Sequence, residues 1–214
     1  MAKEMNRTEV EIIKAANTIF VEKGYEETTI QDIMVKVKMS KGAIYHYFKS
    51  KEEIFDAMWS SSLEDCPWYA DIFSDRNLTG CEKVEKLLTV NLCNPEKQRL
   101  DALALPLLKN PMFLARSFEV TFTEVVPYLT KIIEDGIADG SIKSEHPSEL
   151  AQVILLLSNF WINPAILPSG LEEIQNKCAF LCDISGKMGL TINTDKVLES
   201  IKKYYNALFK DDNA

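Results

Sequence analysis

TTIQDIMVKVKMSKGAIYHYFKSKEE, residues 28–53 of the 214-residue chain, decides how the rest is read. It carries an apolar stripe at Ile30, Ile33, Met34 and Val37, a break over Lys38 to Ser40, and a second apolar pair at Ile44 and Phe48. Apolar residues three and four apart share one helix face, so the spacing predicts two short helices joined by a tight turn. Thr28 or Thr29 can cap the first helix, since Gln31 and Asp32 both stand three residues further on. Ser40 caps the second, and Ser50 with Glu53 forms a capping box for a third.

The second helix, predicted over residues 41–48, divides into two faces. Ile44 and Phe48 turn back toward the preceding helices, while Lys41, Gly42, Ala43 and His46 lie on the opposite side. A helix of this length spans about 12 Å, comparable to a DNA major groove roughly 12 Å wide. Gly42 and Ala43 have almost no side chain, so the helix can press against base edges, and a methyl group can touch thymine. Tyr45, Tyr47, Lys49 and Lys51 flank that surface and suit phosphates, as do Thr28 or Thr29 and the amides of the helix starts, including the one that Ser40 caps. The first turn lacks a carboxylate, which would repel DNA there. This pattern predicts a helix-turn-helix DNA reader whose affinity falls steeply with salt.

Charge is consistent with such a local contact. The net charge of −8 argues against non-specific coating of nucleic acid or an anionic membrane. Residues 1–50 nevertheless sum to +1 and the remainder to −9, and five lysines with no acid lie between Asp32 and Glu52. The five cysteines, Cys66, Cys81, Cys93, Cys178 and Cys182, are an odd number without paired spacing, which predicts reduced thiols and a cytoplasmic location. The start MAKEMNRTEVE lacks an apolar signal core, and the apolar stretch 153–167 is interrupted by Ser158, Asn159, Asn163 and Pro164. His46 and His146, with no cysteine near either, make no zinc site. Cys178 and Cys182 share a helix face and read as buried small hydrophobes in preference to a redox pair. A nucleophile elbow, a Walker loop and a dinucleotide fingerprint are all missing, so neither enzyme chemistry nor a cofactor is expected.

Along the rest of the chain helical periodicity recurs and sustained strand alternation does not, which predicts an all-α fold. A helix over 7–23 would bury Val10, Ile13, Ala16 or Asn17, and Phe20, and stop at Gly24. After the third short helix, which runs through Ile54, Phe55, Met58 and Trp59 toward Leu63, a loop with room for a short turn of helix is expected from Cys66 to Gly80. Helices follow over 81–93, over 96–108 with Pro106 disturbing it, and from the Asn110–Pro111 pair to about Asp139 with a kink at Pro127. The last three are predicted over Glu149–Asn163, Leu171–Lys187 and 194–209, the final one capped by Thr194. The expected organisation is a helix-turn-helix DNA-binding domain over 1–50 and a larger helical effector-binding and dimerisation domain over 51–214. Trp59, Trp68, Phe113, Phe118, Thr121, Phe122, Asn159 and Trp161 are candidates to line a pocket for an apolar or aromatic effector. The segment AQVILLLSNFWI, residues 151–162, is apolar on more than one face. That predicts a homodimer through Glu149–Asn163 and Leu171–Lys187.

The run TTIQDIMVKVKMSKGAIYHYFKSKEEIF, with FVEKGYEETT before it, SKGAIYHYF within it and Lys51 opening the next helix, closely resembles the DNA-binding module of the tetracycline-repressor-like (TetR) family. The likeness covers about residues 7–58. It implies an all-helical homodimer with two recognition helices in successive major grooves and a variable carboxy-terminal domain for a small effector. It puts Lys41, Gly42, Ala43 and His46 near bases and Thr29, Tyr45, Tyr47 and Lys51 near phosphates. The expected function is an effector-released regulator, most simply a repressor, on a palindromic operator. The competing class is a helical small-molecule-binding protein or enzyme in which the helix-turn-helix is only structural.

Overall fold

Reciprocal caps start the first two helices. The structure, a computed structural model, describes residues 6–59, 67–89, 91–95, 98, 101 and 108–209. The Asn6 side chain accepts from the amides of Thr8 and Glu9, each at 3.0 Å, and the Glu9 carboxylate accepts from the Asn6 amide at 2.8 Å. This box opens α1 (Arg7–Lys23). The helix buries Ile12, Ala16, Ile19 and Phe20 in place of the expected Val10 and Ile13. Both stripes contain Phe20, and the one that puts two isoleucines beside it prevails.

Thr29, and not Thr28, caps α2 (Ile30–Val37). Its hydroxyl accepts from the Asp32 amide at 3.2 Å, and the Asp32 carboxylate accepts from the Thr29 amide at 2.8 Å and hydroxyl at 2.6 Å. Lys23 adds a bond to the same carboxylate at 2.9 Å. The Thr29 hydroxyl first, then Lys23 and the Thr29 amide, hold the Asp32 carboxyl well below the usual carboxylate range. The turn that follows is closed by Lys38 in the left-handed region, φ 56°, with the Met39 amide donating to the Met34 carbonyl at 3.1 Å. Helix α3 (Lys41–Tyr47) is one residue shorter than expected, because Phe48 is already extended. At α4 (Lys51–Trp59), the Glu53 amide donates to the Ser50 hydroxyl at 3.1 Å, and the Glu53 carboxylate accepts from the amide of Lys49. The expected extension toward Leu63 lies outside the described residues.

Residues 6–59 and 108–117 form one compact unit. Its core joins Phe20, Tyr25, Phe55 and Phe113, with the Phe55 and Phe113 ring centroids 3.8 Å apart and Tyr25 5.1–5.5 Å from the other three. Ile54 and Phe55 are buried in the same core, so the unit does not stop at the expected residue 50.

The second unit comprises the described residues from 67 to 101 and from 118 to 209. Its helices are α5 (Pro67–Ser74) and α6 (Gly80–Thr89), the end of α7 (Pro111–Val120), α8 (Val126–Ala138), α9 (Pro147–Leu156), α10 (Leu171–Lys187) and α11 (Thr194–Phe209). Helix α5 takes up the first half of the expected loop, as two turns in place of a short one, because Pro67 stands at its first position, where a missing N–H costs nothing. Most of the helix expected over 96–108, with Pro106, lies outside the described residues. The kink expected at Pro127 takes the form of a π-helical turn, Thr121–Val125, in which the Val126 amide reaches back to the Thr121 carbonyl. A second π turn, Leu157–Trp161, follows α9. Asn193, not Thr194, caps α11, accepting from the Lys196 amide at 3.1 Å. Among the described residues there is no strand.

Helices α6 and α8 meet backbone to backbone at two glycines. A Cβ on Gly80 would stand 2.3 Å from the Gly136 Cα and 2.7 Å from the Ile132 carbonyl oxygen. Gly80→Ala must therefore push the helices apart, and urea unfolding should show a loss of about 2 kcal/mol. Gly186→Ala, whose Cβ meets nothing within 4 Å, should instead stabilise by about 0.5–1 kcal/mol. The Asp32 network gives a pH signature. A depressed folded pKa contributes stability present above the unfolded value, near 3.8, and lost as pH falls toward the folded value. The thermal midpoint of Asp32→Asn should lie below the parent's at pH 7, and the gap should narrow as pH is lowered from about 5 toward 2.

Candidate DNA-binding surface and ligand cavity

In the first unit, α3 is anchored by Ile44 and Phe48, 0% and 4% exposed. The Ser40 hydroxyl caps it, accepting from the Ala43 amide at 3.3 Å. With those two side chains inward, Lys41, Gly42, Tyr45 and His46 are exposed on the other side, and Ala43 and Tyr47 are partly so. Lys41 reaches over the Tyr45 ring at 5.6 Å, and the His46 and Tyr47 rings meet edge to face at 5.1 Å. No side chain stands on Gly42, where a Cβ would meet nothing within 4 Å. The outward face of α3 thus offers a cation, an imidazole, a phenol and bare backbone, without a carboxylate. Lys38 and Lys49 are exposed at its two ends.

Two of the expected phosphate ligands have other work. Thr28 is 1% exposed and donates to the Gly24 carbonyl at 2.6 Å, so it closes the α1–α2 connection and is not available to a phosphate. Lys51 donates from Nζ to the carbonyls of Tyr25 at 2.7 Å and Glu26 at 3.3 Å, and sits 4.2 Å over the Tyr25 ring. The Tyr25 hydroxyl donates to Glu52 at 3.3 Å. This clamp ties the start of α4 to the end of α1, a role that sequence spacing alone did not reveal. Thr29 is exposed, with its hydroxyl held by Asp32.

The second unit holds a partly open cavity of about 260 Å³. Its walls come from α6, α8, α9 and α10 and from the start of α11, with Leu88, Leu129, Ile154 and Leu181 among them. Of the eight expected effector residues, Asn159 lines it. Phe113 is fully buried in the first unit's core instead, packed edge to face on Tyr25 and Phe55. Phe118, 47% exposed, stacks on Phe122 at 4.6 Å and leans on Phe160 at 5.4 Å, while Trp161 meets Phe180 at 6.0 Å, all away from the cavity lining. Thr121 is buried in the π turn. The side chains of Trp59 and Trp68 lie outside the described residues. The aliphatic walls carried no distinctive signal, being ordinary leucines and isoleucines at helical spacing.

Cys178 and Cys182 are buried on one face of α10 and line the same cavity. Burial, with Cys182 beside it, pushes the Cys178 thiol up to about 12, and burial raises Cys182 as well. Both are therefore protonated thiols at neutral pH, poor nucleophiles that act as small apolar wall. Among the described residues no cluster of three His, Cys, Asp or Glu could hold a metal, and no helix is long and apolar enough to cross a membrane.

Residues 12–58 match the family described as bacterial regulatory proteins, tetR family. YhgD of Bacillus subtilis, an uncharacterized HTH-type transcriptional regulator, is 29% identical over 151 residues, 68% of this chain and 78% of that one. KstR2 of Rhodococcus jostii, an HTH-type transcriptional repressor, is 28% identical over 150 residues, 66% of this chain and 71% of that one. The solved structure of Salmonella enterica GusR shares the fold, with a TM-score of 0.60 at 17% identity over 96% of this chain and 97% of that one. The matched amino-terminal module and the relatives alike well beyond it lead to one conclusion: residues 12–58 are a DNA-binding module of the tetR family of bacterial regulatory proteins, and the chain as a whole is similar to HTH-type transcriptional regulators.

Proposed function

We propose that the protein is a ligand-released repressor that binds a palindromic operator as a homodimer, with α3 of each protomer in a major groove. The observation that carries this is the outward face of α3, where Lys41, Gly42 and His46 stand free of carboxylates on a helix fixed from behind by Ile44 and Phe48. Lys41 and His46 are suited to base edges, Gly42 and Ala43 to close approach, and Tyr45, Tyr47 and Lys49 to phosphates, while both donors of Thr29 are committed to the Asp32 carboxylate. A repressor sign is favoured by relatives such as KstR2 of Rhodococcus jostii, which is named a transcriptional repressor.

The dimer surface is proposed on α9, the π turn after it and α10. Leu156 and Phe180 are 40% and 53% exposed there, beside the half-buried Phe160 and Trp161. Exposed apolar side chains gathered in this way mark a protein interface. A palindromic operator requires the two recognition helices of such a dimer about 34–36 Å apart, one turn of DNA. Ligand in the second unit would favour a dimer whose spacing no longer fits, and the operator would be released.

Gel-shift titrations on the promoter of the protein's own gene test the reading. Lys41→Ala and His46→Ala should lose about tenfold of the preference for operator over random DNA. Lys49→Ala should weaken binding to every sequence and lower the salt slope by about one. Variants that all bind like the parent would sink the assignment. In sedimentation runs, Leu156→Asp and Phe180→Asp should be folded monomers that no longer shift the operator; if both remain dimers, the interface lies elsewhere.

A further inference from the structure

Resting on the reading of the second unit as ligand-binding, we infer that its cavity takes an uncharged, mostly hydrocarbon molecule of about ten non-hydrogen atoms with one hydroxyl or carbonyl group. Size sets the first part. An apolar cavity of roughly 150 Å³ holds a benzene, so 260 Å³ accommodates a molecule about 1.7 times as large.

Charge sets the second part. Among the described residues, the lining holds no Lys, Arg, His, Asp or Glu, and its titratable groups are Tyr128, Cys178 and Cys182. Burial keeps both thiols protonated at neutral pH. A carboxylate or ammonium entering such walls would give up its hydration without a counter-charge, a penalty that favours the neutral homologue of the same size.

The single polar group is set by Asn159. Its side chain lines the cavity, is exposed at the rim, and has no hydrogen bond within the described residues. A carboxamide offers both a donor and an acceptor, so it can meet either a hydroxyl or a carbonyl. Ser158 is less adaptable, since its hydroxyl already donates to the Ile154 carbonyl at 2.7 Å and can only accept.

Calorimetric titration of the full chain at pH 7 with two matched pairs tests this: 1-naphthol against 1-naphthoate, and decan-1-ol against decanoate. Each neutral member should bind about tenfold or more tighter than its anion. Asn159→Leu, at an exposed position that does not threaten the fold, should weaken 1-naphthol three- to tenfold and leave naphthalene unchanged. Leu88→Trp, which fills the cavity, should abolish both. Anions binding as tightly as the neutral probes, no binding by any neutral probe, or an Asn159→Leu variant that binds 1-naphthol like the parent would each overturn the inference. A parallel gel shift separates it from the regulatory reading. An anion that fills the cavity and frees the operator overturns the neutral-ligand inference while supporting ligand release. A neutral probe that binds through Asn159 yet leaves the operator complex intact supports the inference and counts against the effector role.

Discussion

A helix of seven residues makes too few backbone hydrogen bonds to hold itself together in water. Helix α3 exists because Ile44 and Phe48 are buried against the helices around it and because Ser40 satisfies one amide at its start. That constraint also orients it. Once the two apolar side chains are committed inward, rotation about the helix axis is lost, and Lys41 and His46 have one direction left to point. The caps on α1 and α2, the left-handed Lys38 and the Lys51 clamp all act on this placement, because each fixes where a neighbouring helix begins or ends. Affinity for DNA can then rest on few side chains, since little ordering remains to be done on binding.

The first unit was largely legible in the sequence, for a physical reason. Caps and short-range apolar pairs are local, so Ser40, Ser50 with Glu53, and Ile44 with Phe48 declare themselves over three or four residues. What stayed hidden was non-local. Lys51 looks like a solvated cation until the fold brings the Tyr25 and Glu26 carbonyls to it from about 25 positions away. Thr28 and Thr29 are chemically alike in sequence, and only the path of the chain after Gly24 turns one inward. Phe113 had the composition of a pocket residue and the position of a core residue in the other unit.

The cavity was the least legible feature. It depends on what the side chains of several helices fail to fill, and no pattern within one helix encodes an unfilled volume. Aromatic residues are conspicuous because they are large, yet Phe118, Phe122 and Trp161 pack off the cavity, and its wall joins Phe73 and Tyr128 to leucines, isoleucines and two thiols. Asn159 was found because a carboxamide in an apolar run is conspicuous. The π turn that carries it, Leu157–Trp161, was not foreseen. Such turns concentrate at functional positions because the extra residue re-aims side chains without ending the helix.

The burial of Phe113 among Phe20, Tyr25 and Phe55 bears on the order in which the protein can be made. Chains leave the ribosome from the amino terminus, so residues 6–59 emerge well before the ring that completes their aromatic core. Until residue 113 is synthesised, the helix-turn-helix has an open apolar socket where that ring belongs. A nascent chain or a proteolytic fragment ending near residue 60 therefore lacks part of the DNA-reading module's own interior. The module, compact as it is in space, is discontinuous in the gene.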